Sequence, residues 1–147
     1  MIRISAEPID PSALLDEFHR TVRAGATAVF VGTVRADDGV VALTLEHYPG
    51  FTEREIEAMT AGVSSRHGLS GAMVVHRVGR MTPGDPIVFA ATASDHRRAA
   101  MSGLEELVDR LKTEAPLWKK EETAHGMRWV EPVASDRQAV DQWKERA

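Results

Sequence analysis

Short β-branched and apolar runs, most of them linked to the next by a few turn-forming residues, recur along this chain, and that connectivity constrains the fold more than any other feature. Strands joined so closely pair antiparallel, because a parallel return needs a crossover of a dozen or more residues. Ala26 to Val34 and Val40 to Tyr48 flank the polar turn Ala36-Asp37-Asp38-Gly39 and read as a hairpin with Arg35 at its tip. Ala72 to Val78 and Ile87 to Ala93 form a second pair, joined through Met81-Thr82-Pro83-Gly84-Asp85. Leu117 to Glu122 and Met127 to Glu131 make a third across Thr123-Ala124-His125-Gly126, and Ile2 to Ala6 is a further short strand.

Helical patterns lie between these runs. Asp10-Pro11 supplies an N-cap followed by proline at the first helical position; Leu14, Leu15, Phe18 and Val22 share a face, and Gly25 reads as the stop. Thr52 and Glu55 have capping-box spacing ahead of Ile56, Met59 and Val63, with Gly68 as terminator. The longest pattern runs from about Asp95 to Glu114 with a stripe of Met101, Leu104, Leu107, Val108 and Leu111, and Pro116 ends it. Gly103 inside it has no reading from sequence. Ser135 and Gln138 offer a capping box for a final helix. The expectation is an α+β fold, one domain over residues 1–147 with mostly antiparallel hairpins and about four helices.

A formal charge of -4 and a pI near 5.9 argue against general nucleic-acid binding, which needs a clustered basic surface. No run approaches the 18 or more apolar residues of a membrane span, and no secretory signal is readable, so a cytoplasmic, membrane-free protein is expected. The chain has no cysteine, which removes disulfides, thiolate metal sites and any persulfide of its own. Sulfur, if handled, must arrive on another molecule. His19, His47, His67, His76 and His125 lack recognised close ligand spacing, so no metal site is expected.

Several cationic residues can carry chemistry. Lys112 falls beside the apolar stripe of the long helix, and Lys119 follows Pro116-Leu117-Trp118 just beyond it. Two nearby ammonium groups disfavour each other's charge, which suits them to proton transfer, and they also attract phosphate. Arg35 offers a guanidinium for bidentate phosphate recognition, and His96-Arg97-Arg98 opens the long helix where the dipole already favours an anion. Each also reads as solvated surface charge.

The run Lys112-Thr113-Glu114-Ala115-Pro116-Leu117-Trp118-Lys119-Lys120-Glu121 is similar to the signature of molybdopterin synthase large subunits. The likeness extends through Phe30-Val31-Gly32-Thr33-Val34-Arg35, Leu45-Glu46-His47-Tyr48, His76-Arg77-Val78-Gly79, Pro83-Gly84-Asp85 and Ser94-Asp95-His96-Arg97; little of it lies before Ala26 or after Trp129. The resemblance implies an α/β-hammerhead fold and a homodimer within a heterotetramer. It also implies a ubiquitin-like small subunit whose C-terminal Gly-Gly carries a thiocarboxylate. The substrate it implies is cyclic pyranopterin monophosphate (precursor Z), which two sulfur additions convert to the molybdopterin dithiolene. On this resemblance Lys119 and Lys112 are the catalytic lysines, Arg35, His96 and Arg97 bind the anionic substrate, and no cofactor is permanently bound. Two other readings fit the residues alone. A Schiff-base lysine enzyme would use the same pair as nucleophiles, and a non-catalytic dimeric module would bind a phosphorylated pterin or nucleotide.

Overall fold

The computed structural model describes residues 1–131 and 134–146. Two four-stranded sheets organise it. The first contains β1 (Ile2–Ser5), β4 (Gly71–Arg77), β6 (Pro86–Ser94) and β2 (Ala26–Thr33), in that spatial order. Its β1–β4 pairing is parallel and the other two are antiparallel. The second sheet, all antiparallel, runs β5 (Gly79–Met81), β3 (Val40–His47), β7 (Leu117–Thr123), β8 (Gly126–Val130).

Alternation along β4 assigns its two faces. Met73 and Val75 pack with Leu14 and Phe18 of helix α1 (Pro11–Thr21), while Val74, between them, packs with Ile56 and Val63 of α2 (Phe51–His67) and with Leu107 and Leu111 of α3 (Arg97–Glu114). The first sheet is therefore covered on both faces. A third cluster of Val34, Leu43, Leu45, Val78 and Met81 lines the second sheet, with Leu117 of β7 against it. Each such buried side chain contributes about 1.5–3 kcal/mol. A fourth helix, α4 (Ala134–Glu145), lies against α3 through Val140 and Trp143. α4 begins at Ala134, so Ser135, expected as its N-cap, is already helical; residues 132 and 133 just before it lie outside the described residues.

The α+β class and the last two hairpin pairings hold, as do the four helices. The first hairpin does not. β2 pairs with β6 and β3 with β5 and β7, so the chain crosses between sheets at residues 34–39. The end of β2 is claimed by the proline turn instead: Val34 N donates to Asp85 O at 2.9 Å and accepts at its own carbonyl from Gly84 N at 2.9 Å. Periodicity identifies a strand but not its partner.

Two helix ends and the buried face of a third helix also differ from expectation. α1 ends at Val22, and Gly25 serves close backbone approach, since a Cβ there would collide with the Asp95 carbonyl. α2 begins two residues before the expected cap, with Gly50 N donating to Glu53 Oε2 at 2.6 Å. Thr52, freed from capping, is buried: its hydroxyl accepts from Tyr48 N at 3.0 Å and donates to Pro116 O at 3.0 Å, tying β3 and α2 to the turn that starts β7. On α3 the buried positions are Ala100, Gly103, Glu106, Leu107 and Leu111, whereas Met101 is 63% exposed. At Gly103 the absence of a Cβ lets Leu69 pack closely on α3, since a Cβ there would lie 2.9 Å from Leu69 Cδ2.

Candidate functional site

Lys119 reaches its position through β7, which Thr52 anchors at Pro116 and β3 registers by pairing Leu45 with Lys119 and Thr44 with Lys120. Adjacent strand residues face opposite ways, so Lys119 shares the face of Leu117 and Leu45. Its side chain is exposed and enters no ion pair among the described residues. Lys120 is engaged: its Nζ lies 4.4 Å from the centroid of the Trp129 ring and 4.0 Å from Glu46 Oε1. Beside the strand start, Trp118 packs edge-on against Tyr48 with ring centroids 4.9 Å apart.

Lys112 sits in the last turn of α3, its Nζ 3.9 Å from Asp136 Oδ1 of α4. Arg35 lies beyond β2 in the crossover, 82% exposed, with Nε 3.2 Å from Asp37 Oδ2. His96 occupies the N-cap of α3 without making a side-chain capping bond, and Arg97 is the first helical residue. A cleft of about 540 Å³ where α2, α3 and α4 meet is lined by Arg66, His67, His96, Arg98, Ser102 and Arg146, among others. Of the five expected site residues it includes His96 alone. The described chain thus distributes the five over β7, both ends of α3 and the crossover.

Sequence reasoning missed the ionic cluster behind that cleft. Glu106 is fully buried; its Oε1 accepts from Arg66 and, at 2.7 Å, from Arg110 Nε, while Oε2 lies 2.6 Å from His67 Nε2. Trp143 of α4 stands edge-on to His67 at 5.8 Å and donates its indole N–H to Asp109 Oδ2 at 2.7 Å. The legible signal was the i,i+4 spacing of Glu106 and Arg110 on the face next to Leu107. Removing a buried carboxylate that balances two guanidiniums leaves their charge uncompensated. Glu106→Ala is therefore expected to cost about 3 kcal/mol, the lower end for a buried pair because Arg66 can rehydrate. Urea unfolding tests this, and a loss below about 1 kcal/mol would remove the cluster from the stabilising interactions.

Elsewhere, burial holds His76 below the usual histidine range, and its Nδ1–H donates to the Arg77 carbonyl at 3.0 Å. Among the described residues no helix is long and apolar enough to cross a membrane.

Among the described residues, two sheets and four helices carry Lys112 and Lys119 on either side of the α3–β7 turn and a cluster of cationic side chains near the start of α3, an α+β protein with a cationic surface there. Comparison makes the class specific. The model of the family described as MoaE protein matches residues 4–114. The molybdopterin synthase catalytic subunit of Caulobacter vibrioides is 42% identical over 149 residues, covering 100% of this chain and 99% of that protein. The subunit of the same name from Pseudomonas aeruginosa is 45% identical over 148 residues, covering 98% and 99%. Among solved structures, the molybdopterin biosynthesis MoaE protein from Burkholderia ambifaria superposes with a TM-score of 0.82 at 44% identity, covering 98% of this chain and 97% of that one. The chain belongs to the MoaE family. Its relatives place it among the enzymes of molybdopterin synthesis, as a catalytic subunit. The family model ends at Glu114, but the relatives' alignments span Lys119 as well.

Proposed function

We propose that this chain transfers sulfur from the C-terminal thiocarboxylate of a small ubiquitin-like subunit to cyclic pyranopterin monophosphate, forming the molybdopterin dithiolene. The observation that carries the reading is Lys119: on a strand fixed at Pro116 and registered against β3, its ammonium, unlike that of Lys120, enters no ion pair among the described residues. The absence of cysteine fits a donor on another polypeptide, and the relatives' designation as catalytic subunits supports a second subunit.

The thiocarboxylate sulfur is the nucleophile, so this chain's work is to position two anionic species and to move protons. Lys119 acts as the principal acid/base or charge-stabilising group, and Lys112 as its partner in holding substrate. Arg35, His96 and Arg97 supply donors to the substrate's anionic groups. Their dispersal over one chain is consistent with a pocket completed by a second protomer, hence a homodimer with one small subunit at each end. No permanently bound cofactor is required, and the reaction is cytoplasmic. Light scattering is expected to give a dimeric mass across micromolar concentrations; a fully active monomer would overturn the shared pocket. Mass spectrometry of the pterin product after mixing the chain, precursor Z and thiocarboxylated partner tests the reaction itself.

A further inference from the structure

The cleft between α2, α3 and α4 has a chemistry of its own. Among the described residues its lining holds Arg66, Arg98 and Arg146 with His67 and His96, and no aspartate or glutamate, in a chain whose formal charge is -4. Glu106 lies behind it and fixes Arg66 and His67 in place, but both of its oxygens are already shared among Arg66, Arg110 and His67. Arg98 and Arg146 enter no ion pair among the described residues, and the Arg146 guanidinium is held 5.4 Å from the Trp143 ring centroid. Ser102, one turn after Arg98, adds a hydroxyl to the lining. Three guanidiniums around one opening match the tetrahedral oxygens of a phosphate, which accepts several charge-assisted hydrogen bonds at once.

We propose that this cleft is a phosphate-binding site, with Arg98 and Arg146 as its principal ligands and Arg66 and Ser102 beside them. It rests on the proposed function only in one respect: His96 lies in both residue sets, so the phosphate of the pterin substrate is one source. A separate phosphorylated small molecule is the other.

The test is titration of the full chain with inorganic phosphate at constant ionic strength, followed by the indole N–H resonance of Trp143, which the cleft adjoins. Saturable movement is expected, at least about tenfold weaker in Arg98→Ala/Arg146→Ala, as for loss of hydrogen bonds to a charged group. Arg20→Ala/Arg23→Ala, an equal change of charge on and just beyond α1, should stay within about twofold of the parent by the same measure. No saturable shift in the parent protein, or equal weakening in both double variants, would overturn the site. Steady-state turnover with the thiocarboxylated partner then separates the sources. A raised KM for the pterin with kcat retained in Arg98→Ala/Arg146→Ala identifies the substrate's own phosphate; an unchanged KM beside lost phosphate binding identifies a second ligand. The titration needs neither partner nor turnover, so it can fail while sulfur transfer succeeds, and the reverse.

Discussion

Lys119→Ala is expected to slow sulfur transfer by roughly 10² to 10⁴-fold, the loss typical of removing a positioned acid/base group. Folding should be largely unaffected, because the side chain is exposed and makes no ion pair among the described residues. Lys120→Ala supplies a control of equal charge change. Lys120 points to the opposite face of β7, where it covers Trp129 and approaches Glu46. Its loss should therefore cost about 0.5–1 kcal/mol of stability at an exposed cation–π contact and leave turnover within a few-fold of the parent. Lys112→Ala should impair substrate binding more than the chemical step, and it also removes the 3.9 Å contact to Asp136. Single-turnover product formation, measured after circular dichroism and partner binding confirm intact protein, separates these cases. Equal losses at Lys119 and Lys120 would point to general electrostatics, and near-normal turnover in Lys119→Ala would take that residue out of the reaction.

A larger effect is expected from the donor. The chain alone should form no dithiolene from precursor Z, because without cysteine it has no thiol on which to carry transferable sulfur. Adding a small subunit that ends in a thiocarboxylate should restore conversion. A small subunit ending in an ordinary carboxylate should bind and give nothing. The contrast isolates chemistry from assembly, since the two partners differ by one atom and occupy the same surface. Product from the chain and precursor Z with no donor polypeptide would contradict the account.

Much of this architecture was legible because its elements carry local signals. Asp10 does cap α1, accepting from Ser12 N at 3.0 Å, and Gly68 does close α2 in the left-handed conformation at φ 62°. The hairpin of β7 and β8 follows from its turn residues. What was illegible depended on partners distant in sequence. β2 and β3 look like a hairpin until the turn at residues 82–85 takes the end of β2. Thr52 looks like a cap until Pro116, 64 positions away, takes its hydroxyl. Gly103 and Glu106 look out of place on α3 until Leu69 and Arg66 are seen against them.

The site divides in the same way. An ordered motif singled out Lys112 and Lys119, and their elements were readable as a helix end and the strand after it. The contacts of Lys120 with Trp129 and Glu46, and the lack of an ion pair at Lys119 among the described residues, were not, because they depend on cross-strand neighbours. The arginine cleft was hidden for a related reason: Arg66 comes from α2, Arg98 from α3 and Arg146 from just past the end of α4.

The central claim, that this chain moves a partner's sulfur onto a pterin, is tested most directly by following the sulfur atom. A small subunit thiocarboxylated with ³⁴S is mixed with the chain and precursor Z, and the pterin product is weighed by mass spectrometry. The account predicts a dithiolene in which both sulfurs are ³⁴S, formed at the parent rate and greatly slowed in Lys119→Ala. A dithiolene carrying unlabelled sulfur, or one formed equally well with the carboxylate form of the partner, would contradict it.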